Sequence, residues 1–311
     1  MGRRTRQLIR QVTPLAAQAL GLREADPPLV IDAPRFPGPD EWAALPYAVA
    51  WLGQATTLLR LAGRTILTDP HFREHAGPVV AGRPTGRRRS VALPVDPAAL
   101  PRPDVILLSH AHLDHWDIHS LRPLAHPETA VVIPKRTRPL LPPGFGDVIE
   151  LHWDRDARLP APSARANAPE PPALTVRAIK PAHWGARYLL DAHRGYNAYL
   201  LETPDDTPVL FAGDTGHTHA FDHLGRSGPG VGDAILGIGN SYEPWRRHHA
   251  SPEQAADMAR RMNASRIVPI HHSTFRDPSE PIDEPLERLR RVWAPRPIAC
   301  PRVGDLTSEK P

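Results

Sequence analysis

Cysteine is nearly missing from this chain: Cys300 is the only one in 311 residues. A lone thiol excludes an internal disulfide and a cysteine-built zinc cluster, and it suits a reducing compartment. Long apolar runs are missing too, and no stretch approaches the length of a membrane-spanning helix. Charge of one sign is hardly in excess, with 38 Lys and Arg against 34 Asp and Glu for a net charge of +4. The arginines are scattered rather than gathered into a stripe, which argues against nucleic acid and mildly for anionic substrates. A cytoplasmic protein is expected, with membrane association open through the N-terminus.

The opening stretch, Met1 to Leu22, carries Arg3, Arg4, Arg6 and Arg10 ahead of Leu15-Ala16-Ala17-Gln18-Ala19-Leu20. Arg10, Gln11 and Pro14 interrupt any export-signal core, so it reads as a basic helix that touches other protein or lies peripherally on an anionic membrane surface. Proline is plentiful, at 39 residues. Prolines 27, 28, 34, 37 and 39 make an extended lead-in, and those between 160 and 172 make 155–173 a low-complexity Pro/Ala loop. Arg83 to Arg89 reads as a short basic loop in solvent, the alternative being that it helps to hold an acidic substrate or a phospholipid head group. The expected organisation is a basic and Pro-rich segment over 1–44, one domain over 45–300, and a tail over 301–311.

Strand signals recur between these loops: Tyr47 to Leu52, Thr56 to Leu61, Arg64 to Leu67, Val105 to Leu108, Ala130 to Ile133 and Val148 to Leu151. They continue at Leu174 to Ile179, Asn197 to Leu201, Val209 to Ala212, Ala234 to Ile238 and Ile267 to Ile270. Two helices are signalled late. Ser251, Pro252 and Gln254 form a capping pattern ahead of the apolar face Ala255, Met258, Ala259 and Met262. Leu286, Leu289, Val292 and Trp293 make the inward stripe of a helix from about Pro285 to Trp293. Hairpins first and alternating elements afterwards predict an α/β chain with two mixed β-sheets face to face and helices outside.

The chemistry concentrates in Ser109-His110-Ala111-His112-Leu113-Asp114-His115-Trp116-Asp117, directly after the buried-strand pattern Val105 to Leu108. A strand end fixes the backbone while the loop turns closely spaced imidazoles and a carboxylate toward one point, and these are ligands that Zn²⁺ and similar metals accept. Further candidates each follow a predicted strand: His183, Asp214 and His271.

The H-x-H-x-D-H spacing resembles the metallo-β-lactamase superfamily of metal-dependent hydrolases, whose αββα sandwich agrees with the strand and helix pattern. The resemblance implies two Zn²⁺ or similar divalent ions. His110, His112 and His183 would hold the first, and Asp114, His115 and His271 the second. Asp214 would bridge them, since one carboxylate can give an oxygen to each ion. A hydroxide shared by the metals would then be the nucleophile. Asp69, in Leu67-Thr68-Asp69-Pro70, would orient His110 or a neighbouring ligand through a hydrogen bond.

The segments Trp51 to Thr56, Leu67 to Pro70, Pro181 to Trp184, Phe211 to Gly216, Tyr242 to Pro244 and Ile270 to Phe275 are similar to the branch containing N-acyl phosphatidylethanolamine-hydrolysing phospholipase D. The similarity spans roughly residues 45 to 290. It implies cleavage of a phosphodiester such as a phospholipid of that type, with Asp114, which is also a metal ligand, His249 and Asp69 as catalytic residues. His249 would either donate a hydrogen bond to a substrate phosphate or face solvent beside His248. This chain departs from the branch after His271, where His272-Ser273 replaces Trp-Gly; either imidazole could reach the metal, and His271 is assigned. The alternative activity is hydrolysis of a lactone or amide in a small polar substrate, similar to ascorbate-6-phosphate lactonases. The oligomeric state is left open, a homodimer among the options.

Overall fold

The structure is a computed structural model that describes residues 28–30, 35–159, 172–188, 191–226, 230–242 and 245–311. The basic N-terminal segment, residues 160–171 of the Pro/Ala loop and Glu243-Pro244 lie outside the described residues.

The first sheet starts with a meander, β1 (Ala48–Gly53), β2 (Thr56–Leu61) and β3 (Arg64–Thr68), paired antiparallel. β4 (Val105–Leu107), β5 (Ala130–Pro134) and β6 (Val148–Leu151) then extend it in parallel from β3. The second sheet runs in chain order through β7 (Asp156–Leu159), β8 (Leu174–Ile179), β9 (Ala198–Glu202), β10 (Val209–Phe211), β11 (Asp233–Gly237) and β12 (Arg266–Ile270). Its first three pairings are antiparallel and its last two parallel. Short β13 (Leu306–Thr307) closes the first sheet against β1.

Side chains from both sheets interleave between them: Trp51, Leu59 and Leu107 from the first meet Val176, Tyr199, Phe211 and Val268 from the second. After the short helices α1 (Pro39–Ala44), α2 (Ile118–Leu121) and α3 (Asp222–Arg226), helix α4 (Pro252–Arg261) and helix α5 (Glu284–Trp293) cover the outer face of the second sheet with Ala255, Met258, Leu289 and Trp293. The α4 cap forms as its sequence predicts: the Ser251 hydroxyl accepts from the Gln254 backbone N–H at 3.3 Å, and the Gln254 side-chain oxygen Oε1 accepts from the Ser251 backbone N–H at 3.0 Å. Trp42, Trp116 and Leu121 cover the outside of the first sheet. The layers are therefore αββα.

Three local expectations differ. Asp156–Leu159, expected inside a loop, pairs with β8; four residues of alternating burial at a sheet edge are too short to stand out beside the prolines that follow. Residues 301–311 are not a free tail, because Leu306–Thr307 pairs with β1 and the Gly304 N–H donates to the Trp51 carbonyl at 2.8 Å. The basic stretch 83–89 is not simply a solvated loop: it is the return strand of a hairpin, and Arg89 is buried with its guanidinium 5.1 Å from the Phe275 ring centre.

Candidate metal centre

β3, β4, β8, β10 and β12 all end at one end of the sandwich, since parallel strands share a direction and β8 is two antiparallel steps from β10. The residues just past them are Asp69, the 109–116 loop, His183, Asp214 and His271, which is how positions 200 residues apart meet. The turns are tight. Asp69 has φ +33°, Gly213 φ +56° and His271 φ +61°, backbone settings that non-glycine residues adopt only when the surroundings impose them. The His271 N–H donates to the Gln54 carbonyl at 2.8 Å, and Gly213 lies so close to Ser109 that a Cβ there would stand 2.6 Å from the serine Cβ.

Two donor groups converge on Asp214. In the first, Nε2 of His110 lies 2.8 Å from Nδ1 of His112, and Nε2 of His183 lies 3.2 Å from each. Three ring nitrogens in mutual contact cannot all be satisfied by protons, because at least one pair must present the same role. A cation with metal–nitrogen bonds of about 2.0–2.1 Å satisfies them all. In the second, Nε2 of His115 lies 3.6 Å from Asp114 Oδ2 and Nε2 of His271 lies 3.4 Å from the same oxygen. Oδ2 of Asp214 stands between the groups, 3.8 and 3.7 Å from His110 and His183 and 3.2 and 3.3 Å from His115 and His271. Nε2 of His115, Nε2 of His271 and Oδ1 of Asp214 are buried without a hydrogen-bond partner. Buried polar atoms are rarely left that way, and with this donor set the cluster fits metal ions.

Hydrogen bonds behind the rings present the correct nitrogen. His115 donates from Nδ1 to Asp69 Oδ2 at 2.7 Å. Asp69 also accepts from the Ser109 N–H at 2.7 Å and the Ser109 hydroxyl at 2.5 Å, which leaves that hydroxyl oxygen to accept from His110 Nδ1 at 2.9 Å. His183 donates from Nδ1 to the His248 carbonyl at 3.1 Å. Asp69 thus holds His115 directly and His110 through Ser109, which turns Nε2 of each ring toward the cluster as the atom a metal would take. Replacing Asp69 by Asn is expected to keep the fold and cost about 10- to 100-fold in metal affinity or activity. Metal titration and steady-state rates of the variant check this, and unchanged values would remove Asp69 from the site.

The charges divide the cluster in two. Burial holds His110 and His183 well below the usual imidazole range and takes His112 down to about 4, so these rings are neutral at pH 7. Burial works against His115 and His271 as well, but Asp214 and Asp114 overcome it, raising His115 well above its usual value and His271 to about 9. Without metal, therefore, protons on these two rings balance the carboxylates. A metal must displace them, so its affinity should rise with pH up to about 9, with about two protons released per chain at pH 7. Calorimetric metal titration in two buffers of different ionisation heat measures that number; no release would contradict it.

Other residues complete the site: Gln54 and Trp184 come from segments that the resemblance marks, whereas Arg187 carries no signal in the sequence. Gln54, in the turn between β1 and β2, donates from Nε2 to Asp114 Oδ2 at 2.7 Å. Arg187 donates to the carbonyls of Ala111 at 3.1 Å and Trp116 at 2.8 Å, pinning both ends of the histidine loop. Trp184 packs edge-on against His112. His249 does not face solvent: burial takes its pKa down to about 3, and its Nδ1 is 3.6 Å from Asp214 Oδ2. His272 turns away from the cluster, stacking on Trp51 with Nδ1 2.8 Å from the Ser273 hydroxyl, which leaves His271 at the centre. A cavity of about 330 Å³ opens over the cluster, walled by Arg87, Leu113, Trp184, Arg187, Trp245 and Phe275 with Asp114, Asp214, His249 and His271 exposed to it. A second, open cavity of about 480 Å³ beside Arg246, Arg247 and Ser251 contains none of the clustered residues.

Two sheets face to face with a histidine–carboxylate cluster at their strand ends define a metal-dependent hydrolase of the metallo-β-lactamase fold. A family model described as a beta-lactamase superfamily domain matches residues 64–272, and the chain belongs to that superfamily. It is similar to an uncharacterized protein of Mycobacterium tuberculosis, 29% identical over 273 residues that make up 83% of this chain and 67% of that one. It is also similar to a mitochondrial N-acyl-phosphatidylethanolamine-hydrolyzing phospholipase D of Saccharomyces cerevisiae, 28% identical over 85% of this chain and 56% of that protein. Among solved structures, a metallo hydrolase of Ignicoccus hospitalis shares the fold with a TM-score of 0.59 at 16% identity, over 84% of this chain and 97% of that one.

Proposed function

We propose that this chain is a dinuclear metal-dependent phosphodiesterase acting on a glycerophospholipid of the N-acyl phosphatidylethanolamine type. The observation that carries the reading is Asp214 Oδ2, set between two groups of ring nitrogens at 3.2 to 3.8 Å. A carboxylate in that position would serve two cations and offset their repulsion. His110, His112 and His183 would hold one ion, Asp114, His115 and His271 the other, with Asp214 common to both. Two Zn²⁺ or similar ions bound there supply an activated water at neutral pH and offset charge developing on phosphoryl oxygens.

The remaining work falls to the protein. His249 is neutral at pH 7 and opens onto the cavity, so its ring can donate a hydrogen bond to a phosphoryl oxygen. Arg187 on the cavity wall adds positive charge that favours a phosphate diester over an uncharged ester, whereas the charge of Arg87 is offset by Asp277 at 3.5 Å. Trp184, Trp245 and Leu113 give the cavity an apolar wall for the glyceride end of such a substrate. The name of the yeast relative supports the substrate class.

A panel of phosphodiesters, phosphomonoesters and lactones, turned over by metal-loaded protein in isotope-labelled water, tests the reading. Solvent oxygen is expected in the phosphate product after a single turnover, with no phosphorylated side chain. Label in the alcohol would mean attack at carbon. Turnover of lactones and of no phosphodiester would transfer the assignment to a small polar substrate.

A further inference from the structure

Residues 75–88 form a β-hairpin built in two parts. His75–Ala76 pairs with Arg87–Arg88 at the root, and Val79–Val80 pairs with Arg83–Pro84 near the tip. Ala81 and Gly82 close it with φ of +49° and +76°, the left-handed pair that a two-residue hairpin turn uses. The root is fastened to the catalytic end. Ala76, Gly86 and Arg87 line the cavity, and Arg87 donates to the Asn240 side chain at 2.8 Å and the Phe275 carbonyl at 3.1 Å.

The tip has no such support. Residues 78–84 are all exposed, with Val79 at 49% and Val80 at 58%. The register places Val79 beside Pro84 and Val80 beside Arg83. Because side chains alternate along a strand, each face of the tip carries an exposed valine. Of the other exposed large apolar residues, Trp245 and Tyr188 stand at the same opening, and Leu29 and Val30 lie on a segment that pairs beyond the hairpin. Trp245 walls the cavity, Tyr188 follows the cavity-lining Arg187, and Leu29 is bonded to Ser90 just past the hairpin. Arg83 at the tip forms no ion pair with a described residue.

We propose that this hairpin docks the protein on an anionic phospholipid bilayer, with Val79 and Val80 in the acyl boundary and Arg83 among the headgroup phosphates. A partner protein would cover one face of a ribbon, whereas a bilayer interface surrounds both, and this tip is apolar on both. Tryptophan and tyrosine around the opening suit the same depth, and a free arginine beside valines matches a negative surface. Docking there sets the cavity mouth on the layer that holds a diacyl substrate; in that respect the inference rests on the phospholipid reading above.

The test is flotation of full-length, metal-loaded protein with vesicles of phosphatidylcholine alone and of phosphatidylcholine with phosphatidylserine. The protein is expected to float with the anionic vesicles. The V79D/V80D double variant should bind them more than about 10-fold more weakly, and R83E about fivefold more weakly. Both variants should hydrolyse a soluble diester such as bis(4-nitrophenyl) phosphate at the unaltered rate, because the tip is outside the cavity. Equal vesicle binding by V79D/V80D and the parent would overturn the proposal, as would no binding by the parent. A dimer that V79D/V80D dissociates, without vesicle binding, would overturn it in favour of a second copy of the chain. Failure of the phosphodiesterase reading would show separately, as absence of diester hydrolysis by a parent protein that still floats.

Discussion

Asp214→Asn is expected to lower metal content at both positions together and to reduce turnover by roughly 10³-fold or more, since loss of one electrostatic stabiliser alone costs about 10² to 10³. Asp214 faces both nitrogen groups, because His110, His183, His115 and His271 all approach its one oxygen Oδ2 at 3.2 to 3.8 Å. An amide has the same shape but no charge, so two cations close together would lose the group that offsets their repulsion. His183→Ala should behave differently, chiefly emptying the position shared with His110 and His112. Elemental analysis of both variants beside the parent, which should carry close to two ions per chain, separates these effects. A D214N protein with full metal content would refute the bridging role, and a parent with less than half an equivalent would refute the dinuclear site.

Gly213→Ala should be nearly as damaging although it removes no ligand. With φ at +56°, an added Cβ would lie 2.6 Å from the Ser109 Cβ and 2.9 Å from its hydroxyl oxygen. The left-handed backbone costs a non-glycine residue about 1–2 kcal/mol, and forcing a methyl into a packed contact costs about 1–3 kcal/mol more. Ser109 cannot retreat cheaply, because its N–H and hydroxyl hold Asp69 and its oxygen receives His110. Relief must come from moving either Asp214, one residue on, or the Asp69–Ser109–His110 chain. We expect destabilisation of about 2–5 kcal/mol in urea unfolding and a fall in metal affinity in the same variant. Stability and metal binding at the parent level would show that the strand ends adjust freely.

Much of the fold could be read from local pattern. Eleven predicted strands fall on observed ones within a residue or so, because buried runs of Val, Ile and Leu bounded by proline and polar turns have few other conformations to adopt. The α4 helix was legible for a similar reason: a cap, a proline and a glutamine three residues on are all in the local sequence. The exceptions were all short: β7 and β13, edge strands whose pairing depends on a distant partner, and the two-residue strands of the 75–88 hairpin, too brief for a period to show.

The candidate site divides along the same line. H-x-H-x-D-H stands out because its spacing is local, and His183, Asp214 and His271 because each follows a strand. What only the tertiary structure decided is every relation between separate segments. It set His271 rather than His272 toward the cluster, through a left-handed turn bonded to Gln54. It gave Asp69 to His115 directly and to His110 by way of Ser109, and it brought Gln54 to Asp114 across 60 positions of sequence. It set His249 beside Asp214 at the cavity and made a solvated-looking arginine run into a hairpin at the cavity mouth. Strand pattern and ligand spacing repeat within a few residues and so are visible in one dimension. Which side chain faces which, and which arginine is buried, depends on sheet packing that joins residues far apart in the chain.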